Sequence, residues 1–245
     1  GSGTLTLNGA NTFTGLTTIN SGNLLLGDSL HPTARVGGNV IVNTGGQLSG
    51  YGIIAGNLTN NGTITPGNSI GTITVLGNYT QSAAGLYTVE VDQAGNSDLL
   101  DITGTTSLNG RLSVDVASNG FLANFPYTIL TSGGAVSGTF SNASSGILNQ
   151  GFLQGLVSYL PNSVQLRIGY NGALFLQSVA TPNQQAVANY LLTAGSTPAV
   201  QALLGTITTV EQFQAAMDQI SGATFANDDV AITRVGNWFS TALAD

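Results

Sequence analysis

The chain has 245 residues, enough for a large core in one elongated domain or two compact ones. Charged residues make up 6% of it and the net charge is −7, where an ordinary soluble domain is about 25% charged. The only basic residues besides one histidine are Arg35, Arg111, Arg167 and Arg234, far apart in sequence. That excludes the clustered Lys/Arg needed to displace counterions from nucleic acid, and it disfavours an anionic membrane surface.

Cysteine is absent, so there is no disulfide framework and no thiolate metal site. A chain that crosses an oxidising compartment unfolded benefits from that absence. Hydrophobic residues are 42% of the total and many alternate with polar neighbours, a pattern of ordered β structure rather than disorder. No segment approaches 18 consecutive apolar residues, so no helical membrane span is expected. Gly1-Ser2-Gly3 reads as neither a signal peptide nor a domain edge.

In chain order, period-2 alternation begins at Leu5/Leu7 and continues at Leu24/Leu26, Val40/Val42, Ile73/Val75, Tyr87/Val89/Val91 and Leu112/Val114/Val116, with these residues facing inward. A Gly-Asn-apolar triplet punctuates the first part: Gly22-Asn23-Leu24, Gly38-Asn39-Val40, Gly56-Asn57-Leu58 and Gly77-Asn78-Tyr79, at intervals of 16, 18 and 21 residues. A strand-rich, imperfect repeat of roughly 20 residues points to a solenoid. In a parallel β-helix each coil lays its strands on those of the coil before, with Gly or Asn at corners that need a positive φ. Barrels and sandwiches would show shorter, more regular strand spacing and hairpin turns. Six to eight coils at roughly 4.8 Å each predict a rod about 30–40 Å long.

Within this pattern Gly67-Asn68-Ser69-Ile70-Gly71 spells the G-x-S-x-G of a hydrolase nucleophile elbow. An elbow needs a helix after the serine, whereas Thr72-Ile73-Thr74-Val75 is a strand pattern. The lone His31 also precedes Ser69, the reverse of the order in hydrolases of that fold. Pro66 at position i+1 and Gly67 at i+2 predict a type II turn instead, with Ser69 a corner serine.

From Phe121 to Phe175 aromatics become dense, which predicts a wider core. The last coil of a β-helix exposes unpaired backbone groups and requires a cap. Val157–Tyr159 and Val164–Ile168, flanking Pro161-Asn162-Ser163, are expected to form a hairpin there. After about Thr181 the periodicity becomes helical. Ser196 or Thr197 caps a helix with Pro198 at its first position and Val200, Leu203 and Leu204 on its apolar face. Thr209 and Gln212 have capping-box spacing, followed by a stripe of Val210, Phe213, Met217 and Ile220 and a stop at Gly222. A last helix is expected from Asn227, with Asp228 and Asp229 in its first turn and Ile232, Val235, Phe239 and Leu243 along one side. The domains expected are 1–120 as β-helix coils, 121–180 as the capping region and 181–245 as a helical linker.

Several stretches resemble the C-terminal part of the passenger domain of classical, type V autotransporters. Leu5–Gly27 (LTLNGANTFTGLTTINSGNLLLG) is similar to the passenger-associated transport repeat. Gly62–Gln81, Asp98–Val114 and Tyr127–Phe140 are similar to successive pieces of the autochaperone, or pertactin-like, region. Met217–Gly222 (MDQISG) resembles the segment before the pore helix of the translocator. The resemblance implies an all-β, right-handed parallel β-helix with a C-terminal β cap and short α-helices after it. It implies export across the outer membrane of a Gram-negative bacterium to the cell surface or beyond. The partners it implies are the chain's own translocator β-barrel and the outer-membrane assembly machinery. The family's autochaperone role is placed on roughly residues 36–178.

Two further function classes compete with this stem-and-autochaperone reading. One is an adhesin rod that binds a host or bacterial surface ligand, or associates with itself along Thr/Asn-rich faces. The other is a β-helix polysaccharide enzyme, for which Glu90, Asp92, Asp98, Asp101 and Asp115 are the available carboxylates. Glu90 and Asp92 share a strand face, and Arg111 could sit one coil away. Paired carboxylates about 5–10 Å apart would suit glycoside hydrolysis. The plainer reading is outer-face charge with an Arg salt bridge. His31 is read as a surface-loop histidine and Trp238 as a packing residue. Asn227-Asp228 lies where some family members are cut inside the barrel, and a helix N-cap accounts for it equally well. No catalytic, cofactor-binding or metal-binding residue is assigned.

Overall fold

The computed structural model describes residues 1–118, 120–143, 148, 152–194, 200, 204, 207 and 209–222. They fall into two compact units. The first comprises Gly1–Asn149 with Gln154–Gly169, and the second Gln150–Leu153 with Tyr170–Asp245.

The first unit is a parallel β-helix. Its chain visits three faces in fixed rotation, one strand per face. Coil one runs from β1 (Thr4–Leu7) through an isolated bridge at Ala10 to β2 (Thr17–Ile19). Coil two is β3 (Gly22–Leu26), β4 (Arg35–Val36) and β5 (Val40–Val42). Coil three is β6 (Gly46–Gly50), β7 (Ile53–Ile54) and β8 (Leu58–Asn60). Coil four is β9 (Thr63–Pro66), β10 (Thr72–Val75) and β11 (Tyr79–Gln81). Coil five is β12 (Leu86–Val91), β13 (Leu99–Ile102) and β14 (Thr106–Leu108), and coil six β15 (Arg111–Val116), β16 (Tyr127–Ser132) and β17 (Val136–Gly138). The first face stacks β1-β3-β6-β9-β12-β15, the third β2-β5-β8-β11-β14-β17. The second stacks β4-β7-β10-β13-β16 and continues into β19 (Ser163–Tyr170) and β18 (Leu153–Leu160).

Alternation along each strand sends one set of side chains into the tube and the other to its surface. Register then aligns equal positions of successive coils into columns. Leu24, Leu48, Ile64, Tyr87 and Leu112 form one on the first face, and Val36, Ile54, Val75 and Ile102 another on the second. All are essentially inaccessible to solvent. The inward residues expected from alternation are nearly all buried. The exceptions are Leu7 and Val116, which are half-buried, and Leu5, 61% exposed, because β1 is covered by a described coil on one side only.

In coils two to six the corner between the second and third faces is three residues long: Gly37-Gly38-Asn39, Ala55-Gly56-Asn57, Leu76-Gly77-Asn78, Thr103-Gly104-Thr105 and Gly133-Gly134-Ala135. Asn39 Oδ1 accepts from the Asn57 N–H at 2.8 Å, Asn57 Oδ1 from Asn78 N–H at 2.8 Å, and Asn78 Oδ1 from Thr105 N–H at 2.8 Å and its hydroxyl at 2.9 Å. Each asparagine occupies the space that a Cβ on the next coil's glycine would need, at Gly56, Gly77 and Gly104. The Gly-Asn repeat is thus a side-chain ladder, and its glycines are there for close approach rather than for a positive φ. Gly22-Asn23 is not a rung. It lies on the first face, where Asn23 exchanges hydrogen bonds with Ser49.

The wider core begins before Phe121. Tyr79 and Tyr87 already fill coils four and five, and Phe121, Tyr127 and Phe140 follow in coil six. In β16 the register shifts between Thr128 and Leu130, so Ile129 and Leu130 are both buried. Such a bulge leaves a backbone group without its ladder partner. Here the Tyr87 hydroxyl donates to Ile129 O at 2.6 Å across the core.

The expected hairpin is present, with Pro161 and Asn162 connecting β18 to β19, and β19 pairs antiparallel with β16. Its turn takes the place of a further corner: Val136 N–H donates to Pro161 O at 2.9 Å and Ser132 N–H to Asn162 O at 2.8 Å. Asn162 Nδ2 in turn donates to Gly134 O at 2.8 Å and Ser132 O at 3.2 Å.

The second unit is helical in its described part. Its helices are α1 (Gly172–Ser178), α2 (Pro182–Ala194) and α3 (Val210–Ser221). Asn171 caps α1 by accepting from Leu174 N–H. The Thr209/Gln212 capping box and the left-handed Gly222 stop, φ 72°, are both formed. Phe152, Phe175, Leu204, Phe213 and Met217 belong to its core, with Phe152 stacked on Phe213 at 4.2 Å, while Val210 is 41% exposed. Val200 and Leu204 are helical as expected; Ser196, Thr197, Pro198, Leu203 and the helix expected from Asn227 lie outside the described residues.

Gly77→Ala pushes a methyl against Asn57 Oδ1 and the Gly56 carbonyl. It should destabilise the chain by about 1–3 kcal/mol in urea unfolding, whereas an alanine at the open position Gly9 should leave the midpoint unchanged.

Candidate functional site

Ser69 is exposed in the corner after β9, and a strand follows it, not a helix. Gly67 has φ 76°, as a corner requires, and exchanges two backbone hydrogen bonds with Gly50, at 3.1 and 2.7 Å. Pro66 departs from the expected turn: it is buried as the last residue of β9, because the strand runs on to meet the Gly50 bridge. Among the described residues Ser69 has no hydrogen bond to a histidine or carboxylate, so nothing there activates its hydroxyl. His31 sits in the first-to-second-face corner of coil two. Its Nδ1 is 2.7 Å from Asp28 Oδ1, and that bond holds Asp28 below the usual carboxylate range. Asn8 Nδ2 donates to the other oxygen of Asp28 at 3.0 Å. No group of three metal-ligating side chains occurs among the described residues.

The five carboxylates of the enzyme reading do different things. Glu90 and Asp115 are register neighbours on the outer first face, so two like charges stand side by side. Burial first, then Asp115 and Asp92, raise the Glu90 pKa. Asp92 closes its own loop, accepting from Asn96 N–H at 2.8 Å and Asn96 Nδ2 at 2.9 Å. Asp101 lies on the second face and accepts from the Thr131 hydroxyl at 2.6 Å. Asp98 is 1% exposed and ties coil four to coil five, accepting from Gly71 N–H and Glu90 N–H, each at 2.8 Å. Arg111 stands beside Leu86, not beside Glu90. The expected Arg salt bridge is not formed, since the only ion pair among the described residues is His31–Asp28. The strand register places Arg111 at the opposite end of β15 from Asp115.

The groups that the fold does concentrate are those that close its far end. On the first face Asn142 Oδ1 accepts from Leu112 N–H at 3.0 Å and its Nδ2 donates to Leu112 O at 2.8 Å, while Ser141 donates twice to Gly110 O. On the second face β19 pairs with the free edge of β16. On the third, the Pro161-Asn162 turn takes Val136 N–H and the Tyr159 hydroxyl takes Phe140 N–H at 2.9 Å. Tyr127 joins this set, donating to Asp92 O at 2.7 Å and accepting from Leu122 N–H at 2.6 Å. Alternation marked Tyr87 as inward, but it carries no information on where a hydroxyl finds its partner, and it did not single out Tyr127. The signal for Asn162 was available: it is an asparagine at a turn, as in the repeat.

Burial pushes Asp98 up to about 7, against the pull of its two backbone donors. Its unfolded value is near 4, so in that window the folded chain binds more protons than the unfolded one. The contribution favouring the fold is fully present below pH 4 and is lost as pH rises through about 7. Glu90, mostly exposed, adds a smaller effect of the same sign. Urea midpoints measured at pH 5 and pH 8 should therefore be higher at pH 5. Asp98→Asn should reduce that difference while costing about 1–3 kcal/mol through a backbone donor left unpaired.

Residues 1–26 match a family model described as the passenger-associated transport repeat. Over 211 residues the chain is 32% identical to an extracellular serine protease of Serratia marcescens, an alignment covering 82% of this chain and 19% of that protein. Over 121 residues it is 36% identical to an uncharacterized protein, YuaQ, of Escherichia coli (strain K12), covering 46% of this chain and 9% of that protein. The chain thus spans a fifth or less of the length of these relatives.

Proposed function

The chain belongs to the autotransporter passengers and works at the cell surface or outside the cell, and from that premise we propose that it is a non-enzymatic stem whose closed end nucleates its own folding and so promotes export. The observation that carries this reading is the closed end itself, where each face of coil six has a dedicated partner. A parallel β-helix grows by adding a strand to a preformed edge, and its first coil has no edge to add to. Loop closure is costly before any long-range pairing compensates it. An antiparallel hairpin with a two-residue connection is the cheapest local edge a chain can make, and β18–β19 presents one to β16.

Outside the cell there is no ATP to pull a thread through the outer membrane. If the C-terminal coils leave the pore first, the hairpin and β16 fold first, and earlier coils add in turn. Each coil buries a row of the core columns, at about 25 cal/mol per Å² of apolar surface, and makes backsliding unfavourable. Roughly residues 36–178 supply this nucleus. Its partners are the chain's own translocator barrel and the outer-membrane assembly machinery. The dispersal of the carboxylates and the lack of a base at Ser69 support a stem over an enzyme. The protease activity named for the Serratia relative is not carried over, because the alignment covers 19% of that protein.

Stopped-flow refolding of the full chain tests the order of events. Tyr87→Phe and Asn162→Ala should slow folding nearly in proportion to the stability they remove, by about tenfold per 1.4 kcal/mol lost. Leu24→Ala, in coil two, should mainly speed unfolding. The same two closing-end variants in the complete reading frame should lower surface display. Equal partition between folding and unfolding rates for all three variants would count against the reading.

A further inference from the structure

Five Asn-Gly pairs occur in the chain: Asn8-Gly9, Asn61-Gly62, Asn109-Gly110, Asn119-Gly120 and Asn171-Gly172. Asparagine is a thermolabile residue, most of all before glycine, where no Cβ shields the next backbone nitrogen. That nitrogen can attack the side-chain amide carbon. Whether it does depends on where its N–H bond points, because the lone pair left on deprotonation lies along the same line.

The fold treats the pairs differently. Asn119 lies outside the described residues. Asn171 caps α1, and its Oδ1 faces the Leu174 N–H at 3.1 Å instead of Gly172. Asn8 is held by Asp28, whose carboxylate disfavours a second negative charge on the attacked amide. The remaining two are equivalent. Each pair makes the whole corner from the third face to the first, Asn61-Gly62 between β8 and β9 and Asn109-Gly110 between β14 and β15.

In coil three the residue before that corner is Asn60, and its buried Oδ1 takes the Gly62 N–H at 3.0 Å. In coil five that residue is Leu108, whose side chain offers no acceptor. The Gly110 N–H, on a glycine with φ 63°, turns instead to Asn109 Oδ1 at 2.9 Å. Nitrogen and target amide are thus already in contact on an exposed asparagine, an arrangement that replaces a chance encounter with a held one.

We propose that Asn109 is a site of spontaneous deamidation, and that its isoaspartyl product loosens the closed end of the β-helix. Hydroxide removes the Gly110 N–H proton, and the nitrogen bonds to Asn109 Cγ. The Cγ–Nδ2 bond breaks, and ammonia leaves with a proton from water, which restores the hydroxide. Water then opens the succinimide at either carbonyl to give aspartate or isoaspartate, so the net change is amide plus water to carboxylate plus ammonium.

The position gives this chemistry its consequence. Gly110 O accepts both the Ser141 N–H and the Ser141 hydroxyl, at 2.6 and 2.7 Å, as part of the closure of the first face. The Gly110 backbone is also packed closely on coil four, since a Cβ there would meet the carbonyls of Ser82 and Gly85 at 2.3 and 2.4 Å. Isoaspartate lengthens the main chain of this short corner by one methylene, shifts Gly110 and frees Ser141. The inference goes beyond the stem reading and does not depend on folding order.

Ageing the full folded chain at pH 8 tests it, with deamidation followed by peptide mass mapping and isoaspartate by an isoaspartyl methyltransferase. Asn109 should convert at least about tenfold faster than Asn61, and the two should convert at similar rates in urea. Amide hydrogen exchange at Ser141 should quicken in the aged chain and stay slow in an aged Asn109→Ser chain. Equal conversion of Asn61 and Asn109 in the folded chain overturns the proposal, as does a preference for Asn109 that survives in urea. Unchanged exchange at Ser141 in a chain modified at Asn109 overturns it too.

Discussion

A β-strand inside a sheet satisfies its backbone on both edges, and a stack of coils inherits that requirement at its last turn. The rim of coil six would expose unpaired N–H and C=O groups along three faces at once, and such a rim templates further pairing. This chain answers with three different devices: a side-chain amide against Leu112, an antiparallel strand against β16, and a tight turn at the corner above Gly134. The change of strand direction at β19 matters most. An antiparallel hairpin carries its own register in its turn, so the second face ends on an element that needs no further coil to define it.

The interior changes to suit this ending. The early coils are filled by aliphatic columns, and a narrow tube needs nothing else. From the end of coil three amides enter, and from coil four tyrosines. Tyr79 OH donates to Gln81 Oε1 at 2.7 Å, and Gln81 Nε2 reaches Gly85 O and Arg111 O. Asn60, fully buried, bonds Leu86 O and Gly62 N–H. These polar side chains bridge adjacent coils at the third-to-first-face corner, where strand spacing varies. A buried amide left unpaired is costly, so each makes one coil height much better than its neighbours. Together with the Asp98 tie on another corner, they pin register where the alternation of Val and Leu alone would allow slippage.

Much of this was legible in the residues. Strand alternation located the inward side chains because a parallel coil buries one complete set of positions, and the Gly-Asn spacing located a corner because two backbones approach there. The hairpin and the α3 capping box were local enough to be read directly. What alternation did not reveal were matters of three-dimensional neighbourhood. Gly22-Asn23 has the spelling of a rung but sits in a strand. Pro66 has the spelling of a turn but ends a strand. Arg111 was expected one coil away from Glu90, and it lies on the adjacent coil, but the register sets it beside Leu86 instead. α1 and α2 were missed as distinct helices, since their sequences, GALFLQS and PNQQAVANYLLTA, lack a strong apolar stripe. The lock between Gln184 and Asp218 at 2.9 Å was likewise invisible from spacing.

The corners of the tube differ in how they accommodate length. Between the second and third faces coils two to six each spend three residues, and the missing Cβ of Gly56, Gly77 and Gly104 keeps the asparagine side chain of the coil before in close contact. Between the first and second faces the span runs from Tyr51-Gly52 in coil three to the loops holding His31 and Asn96. Evolutionary novelty therefore finds its widest doorway between the first and second faces: foreign peptide grafted between Asp28 and Thr33, or between Asp92 and Asn96, adds a protrusion without touching the pitch of the screw, whereas one residue inserted at an asparagine rung would break the contact between that side chain and the glycine of the next turn.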